Sequence, residues 1–170
     1  MSELHHEVHL EDYVVARLKD QGWKVGTSDK YDQDHAMYPE DIEAWLKATQ
    51  PAKWDKLFAL NGDKTCKVVM DRLEAAIEKS STIEVIRTGF SIAGCGHLDL
   101  SEAAPEDQRN RKIIDRYAAN RLRVVPQLKY KHGHQDAIDL GFFLNGLPVA
   151  TVELKTDFTQ SAEAAKLQYI

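Results

Sequence analysis

The sequence predicts an α/β domain whose helical first part, residues 1–80, precedes a sheet-forming second part, residues 81–170. Three observations lead there. Apolar residues recur at helical spacing through four segments before residue 80. Two apolar runs flank Asn145-Gly146, the dipeptide that favours a tight β-hairpin. The chain of 170 residues, 43% hydrophobic and 29% charged, has an ordinary globular composition and one domain's length, enough to bury about 70% of its unfolded surface.

The elements follow in order. Leu10, Val14, Val15 and Leu18 give an amphipathic helix to about Gln21, stopped by Gly22 as a C-terminal cap. Pro39 begins the next helix, with Glu40 and Asp41 suited to its dipole and Ile42, Trp45 and Leu46 facing inward. A short helix follows Pro51 with Trp54, Leu57 and Phe58, and Thr65 caps another over Cys66–Lys79, burying Val68, Val69, Leu73, Ala76 and Ile77. The β-branched stretch Ile83–Arg87 reads as extended, before a loop rich in Gly, Ser and acids up to Asp107. Arg109–Tyr117 reads as a basic helix. Leu122–Tyr130 reads as a strand in which Pro126 marks an edge or a bulge. Ala137–Leu144 and Leu147–Leu154 are apolar nearly throughout, so their hairpin is expected to be central and covered on both faces. A helical run begins at Ser161.

Several classes are excluded. No apolar run approaches the ~20 residues of a membrane helix. The start, Ser2-Glu3-Leu4-His5-His6-Glu7, lacks the basic and apolar regions of a signal peptide. Cys66 and Cys95 are too few for a disulfide framework and suit reduced thiols. A soluble, cytoplasmic protein without a membrane partner is expected. The net charge of -5 is uneven: residues 1–107 carry -9, residues 108–131 carry +7, and residues 132–170 carry -3. The basic stretch holds Arg109, Arg111, Lys112, Arg116, Arg121, Arg123, Lys129 and Lys131. It reads either as a polyanion footprint or as a solvated helix face.

The hairpin holds the most informative chemistry. Asp139 interrupts an apolar strand, while Glu153 and Lys155, two residues apart, point to one face of the partner strand. Charges buried there must either pair as a salt bridge or hold a metal. A divalent cation between Asp139 and Glu153 would relieve their repulsion, and Lys155 would stabilise charge as water attacks a phosphate. A two-residue Asn145-Gly146 turn would pair Leu144 with Leu147 and set Asp139 opposite Val152, turned away from Glu153. A three-residue loop, Leu144-Asn145-Gly146, would set it opposite Thr151, on the face shared with Glu153 and Lys155. The site therefore requires an odd loop or a bulge.

At these residues the chain resembles a known family. Tyr117-Ala118-Ala119-Asn120-Arg121-Leu122, Gln127, Ile138-Asp139-Leu140, Asn145-Gly146-Leu147-Pro148-Val149-Ala150, Glu153-Leu154-Lys155 and Gln168-Tyr169 resemble the N-terminal domain of the type I restriction endonuclease R subunit. Gly22-Trp23, Tyr31-Asp32, Pro39-Glu40-Asp41 and Lys47-Ala48-Thr49-Gln50-Pro51 through Trp54 extend the likeness to the first part. The resemblance implies a PD-(D/E)xK nuclease of the restriction-endonuclease-like fold, a mixed central sheet flanked by helices. It implies Mg²⁺ held by Asp139, Glu153 and the Leu154 carbonyl, Lys155 as the catalytic lysine, and Glu11 as a further acid that can approach the metal. It implies double-stranded DNA as substrate, with methyltransferase and specificity subunits as partners of a larger motor subunit of which this chain would be a piece. No glycine-rich phosphate loop with Lys-Ser/Thr occurs, so ATP would belong to the motor region.

Gln160, Gln168 and Tyr169 fall in the region of the family's Gln-Tyr motif, but a Gln-x-x-x-Tyr ending at Tyr169 would need glutamine at Ala165. Their role stays open. With the family in view, Arg109, Arg111, Lys112, Arg121, Arg123, Lys129 and Lys131 are candidates for DNA-backbone contact or for docking to further domains. His5, His6 and His9 offer a weak zinc motif, and His132 and His134 could contact phosphate or lie in a solvated loop. Trp23, Trp45 and Trp54 read as core, and Tyr117 and Asn120 as fixing a turn. Two alternatives to the restriction nuclease remain. One is a catalytically silent docking module that tethers a motor; the other is a stand-alone repair-type nuclease of the same fold.

Overall fold

The structure, a computed structural model, describes residues 3–107 and 109–154. Its elements run α1 (Glu3–Asp20), β1 (Lys24–Val25), α2 (Pro39–Thr49), α3 (Pro51–Asn61), α4 (Thr65–Lys79), α5 (Thr82–Thr88), β2 (Phe90–Ile92), β3 (Gly96–Leu98), α6 (Arg111–Ala118), β4 (Leu122–Leu128), β5 (Ile138–Leu144) and β6 (Leu147–Val152). A mixed sheet has the order β1-β4-β5-β6, with β1 parallel to β4 and the other pairs antiparallel, and β2 and β3 form a separate hairpin. This is the α/β architecture expected, consistent with a restriction-endonuclease-like fold.

Local chemistry explains the boundaries. Gly22, at φ +90°, reverses the chain after α1: its N–H donates to the Lys19 carbonyl and the Trp23 N–H to the Leu18 carbonyl. Pro39 and Pro51 open α2 and α3, where a missing N–H costs nothing. Thr65 does not cap α4 as expected. It is the first helical residue, and its hydroxyl donates to the Gly62 carbonyl at 2.6 Å.

The stretch expected to be extended at Ile83–Arg87 is instead α5. Ser81 accepts the Glu84 N–H, and Ser81-Thr82-Ile83-Glu84 fits a capping box that outweighs the β-branched residues. The extended segments lie later, in β2 and β3, inside what was expected to be loop.

The main core joins α2, α3, α4, α5 and the β2–β3 hairpin around Trp45, Leu46, Leu57, Val69, Leu73 and Leu98, with Leu147 from the sheet. Trp45 and Trp54 are core as expected, while Trp23 is half-buried and meets Phe142 edge-on at 5.5 Å. Phe143, next along β5, faces the other way toward Tyr31 and Tyr38. The sheet therefore packs on both sides through β5.

The expectation that the β5–β6 hairpin is covered on both faces fails for β6. It is the outer strand among the described residues, and Val149 and Val152 are 47% and 37% exposed. Its apolar run reflects how well the β-branched Val149, Thr151 and Val152 suit a pleated strand at an edge rather than double burial.

Pro126 sits in β4 between two partners, yet it breaks no rule. The Gly26 N–H donates to the Val124 carbonyl, so residues 124 and 126 aim their backbone groups at the β1 side, where β1 has already ended.

Candidate active site

The hairpin turn is the tight two-residue form, with Leu144 paired to Leu147 and Phe143 to Pro148. The register then shifts: Phe142 pairs with Ala150, Gly141 with Thr151 and Leu140 with Val152, leaving Val149 as one extra residue. The required parity change thus arrives as a bulge rather than an odd loop. Carried one residue further, this ladder sets Asp139 opposite Glu153, and cross-strand neighbours share a face. The Asp139 carboxylate accepts the Leu154 N–H at 2.6 Å, which ties it to the end of β6. Asp139, Glu153 and Leu154 are all half-buried.

On the other side of β5, Gln127 falls between the Pro126–Leu140 and Leu128–Ile138 pairs, across from Asp139. It has a left-handed backbone, φ 48°, rare for a residue with a Cβ. Its side-chain amide donates to the Glu11 carboxylate of α1, a helix that packs on β1 and β4. Burial pushes the Glu11 carboxyl above its usual range. The negative charges of Asp139 and Asp12 push the same way, against the Gln127 hydrogen bond. Glu11 is therefore near enough to Asp139 to feel its charge.

The donor set suits a hard divalent cation: carboxylate oxygens from Asp139, Glu153 and Glu11 with a backbone carbonyl at Leu154. Among the described residues, no group of three or more His, Cys, Asp or Glu side chains stands close enough together to hold a metal ion. Lys155, Gln160, Gln168, Tyr169 and the helical run from Ser161 lie outside the described residues, and so do the side chains of His5 and His6. His132 is exposed and bonds Asp34 at 3.1 Å, and His134 lies 3.9 Å from Asp136.

The basic run divides: Arg116, Arg121 and Arg123 turn inward onto acids, while Arg109, Arg111, Lys112, Lys129 and Lys131 are exposed. Arg121 and Arg123 converge on Asp41, which is wholly buried. The Arg121 Nε lies 2.6 Å from Oδ1, and the Arg123 Nη2 lies 2.9 Å from the same oxygen while its Nε meets Oδ2. Arg123 also stacks over the Tyr38 ring at 4.1 Å, and only 5% of its side chain is exposed. A buried carboxylate in the first turn of α2 needs opposite charge, and β4 supplies it. Arg116 is likewise held by Asp99 and Glu102. Arg109 pairs with Asp107 and Arg111 with Asp115 on the surface. Lys112, Lys129 and Lys131 form no ion pair among the described residues. A groove of about 600 Å³ beside α6 is lined by Arg87, Ser101, Lys112 and Arg116, away from Asp139.

The Asn-Gly turn proves to be a joint. Asn145, fully buried at φ 50°, accepts the Arg121 N–H at 2.7 Å and donates to the Leu100 carbonyl and to Asn120. Asn120 in turn brackets the Glu102 backbone, so it does fix the approach to β4, while Tyr117 is exposed. Gly146 accepts the Tyr38 N–H, and an added Cβ would lie 2.5 Å from Ile42 Cγ1. Asp41 and Gln127 are the residues whose placement the sequence did not announce. Asp41 looks like a dipole acid, and Gln127 stands out in the sequence only through the family resemblance, which gives it no role.

A family model described as Type I restriction enzyme R protein N terminus matches residues 5–170. No curated protein and no solved structure matches the chain.

Proposed function

The chain belongs to the type I restriction enzyme R protein N-terminal family, and from that premise we propose that it is a Mg²⁺-dependent endonuclease domain that hydrolyses DNA phosphodiester bonds in a type I restriction-modification system. The observation that carries this reading is the bulge at Val149, which brings Asp139 into register with Glu153 although the turn is tight. Nothing in hairpin folding demands that shift, and without it the two acids would face apart.

Asp139, Glu153 and the Leu154 carbonyl would hold the cation, with Glu11 as a further oxygen donor. Bound Mg²⁺ would polarise the phosphate and offset the charge that builds on it. The Leu154 N–H orients the Asp139 carboxylate. Lys155 is assigned to orient the attacking water and to stabilise developing negative charge with its ammonium group. DNA would be gripped through backbone phosphates by Lys112, Lys129, Lys131 and the surface arginines Arg109 and Arg111, so binding should weaken steeply with salt. Sequence recognition would come from specificity and methyltransferase partners in the cytoplasm, and ATP hydrolysis from a motor region. No helix of the described residues is long and apolar enough to cross a membrane.

A docking module with a silent site is the second reading, favoured by the inward pairing of Arg116, Arg121 and Arg123. Calorimetry with Mg²⁺ at low salt and a plasmid-cleavage assay separate the two. The nuclease reading expects Asp139→Ala and Glu153→Ala each to abolish Mg²⁺ binding, and Lys155→Ala to bind Mg²⁺ but not cleave. Equally feeble binding in all variants and wild type would favour docking.

A further inference from the structure

Gln127 combines three features that no packing argument explains together. It is exposed, it holds a left-handed backbone, and its amide is bonded to Glu11 across the α1–β4 contact. The backbone itself has a structural use. Reversing φ at Gln127 lets Leu128, which is 3% exposed, join Val125 and Phe143 in one cluster and pack where a Cβ on Gly141 would fall. Glycine would serve that purpose without strain. What glycine could not supply is the amide that reaches Glu11.

We infer that Gln127 is a positioning residue: its amide holds the Glu11 carboxylate beside Asp139, so that Glu11 can donate an oxygen to the divalent cation. The inference rests on the proposed cation site and deepens it. The geometry is a row across the sheet end. Glu11 on α1 is followed by Gln127 on β4, Asp139 on β5 and Glu153 just past β6, each neighbour set by a hydrogen bond or by strand register. Groups that orient a metal-binding carboxylate typically change affinity 10- to 100-fold when removed.

The test is Mg²⁺ calorimetry on the chain, with thermal unfolding recorded in parallel. Gln127→Gly keeps the backbone at ease and deletes the amide. It should weaken Mg²⁺ binding about 10-fold without lowering the unfolding midpoint. Gln127→Asn, at home in the left-handed region but one methylene too short, should weaken it likewise. Glu11→Ala should give a similar loss, and combining it with Gln127→Gly should add nothing, because Gln127 acts through Glu11. Additive losses in the double variant would overturn the inference, as would wild-type affinity in Gln127→Gly while Asp139→Asn abolishes binding. A lowered midpoint in both Gln127 variants with affinity intact would make the residue structural. If wild type binds no Mg²⁺, or Asp139→Asn binds as well as wild type, the cation site itself is wrong and this assignment falls with it.

Discussion

β4 carries charge chemistry at both ends, and the two ends are built differently. At its start, Arg121 and Arg123 meet the buried Asp41, with Glu40 of the same α2 turn 3.1 Å from Arg123. Opposite charges there complete one another in a fixed geometry, and nothing further is needed. At its far end, Gln127 faces Glu11 and Asp139, two like charges whose hydrogen bonds among the described residues come from neutral donors, the Gln127 amide and the Leu154 N–H. Burying a charge with its counter-charge is architecture, whereas gathering carboxylates beside one another raises their energy unless a cation arrives. The first arrangement holds α2 against the sheet. The second is the arrangement that the proposed cation site calls for.

Removing Asp41 is the severest test of that contrast. Asp41→Ala leaves two guanidinium groups at the core edge with only the half-exposed Glu40 as counter-charge, and unfolding in denaturant should show a loss of about 3–5 kcal/mol. A loss below about 1 kcal/mol would mean that the arginines swing out to water, and the contrast between the ends would collapse. At the far end the same measurement should barely move. Asp139→Asn keeps an acceptor for the Leu154 N–H and removes a charge that Glu11 feels, so stability should stay within about 0.5 kcal/mol of wild type. Saturating Mg²⁺ should raise the unfolding midpoint of wild type and leave that of Asp139→Asn unmoved. A large stability loss in Asp139→Asn would make that end structural too.

The smallest expected effect sharpens the comparison away from both ends. His35 bridges Asp32 at 3.0 Å and Asp71 of α4 at 2.8 Å, with 8% of its side chain exposed. Burial draws the imidazole down, but the Asp71 and Asp32 carboxylates outweigh it and hold His35 above its ordinary 6.5. A raised folded value means the clamp contributes fully below about pH 6.5 and fades as pH rises through that folded value. The unfolding midpoint should therefore fall more between pH 6 and pH 8 in wild type than in His35→Gln. Equal slopes would show that the clamp carries no net charge interaction.

Much of this was legible in the sequence where a local rule decides. Gly22, Pro39 and Pro51 fixed helix ends because backbone constraints act within a few residues. Asn145-Gly146 announced its turn for the same reason. Strand parity reaches further: a tight turn separates Asp139 from Glu153 unless an odd loop or a bulge intervenes, and Val149 supplies the bulge. Where two local signals compete, at Ile83–Arg87, the Ser81 and Glu84 capping pair outweighs the β-branched residues and makes a helix. The basic run shows a harder limit. Composition counts charges but cannot see that Asp41, about eighty residues earlier, lies under Arg121 and Arg123.

The sequence by itself determined the α/β class, the helix boundaries set by proline and glycine, and which residue types could bind a cation. These depend on covalent geometry, periodicity and side-chain chemistry, all carried by neighbours along the chain. Tertiary structure decided the rest: that β6 is the outer strand among the described residues, that most arginines of the basic run turn inward, and that Gln127 reaches Glu11 from across the sheet. Those outcomes depend on which distant segments meet. A charge becomes a ligand, a lock or a surface only when its partner's position is fixed by the fold around it.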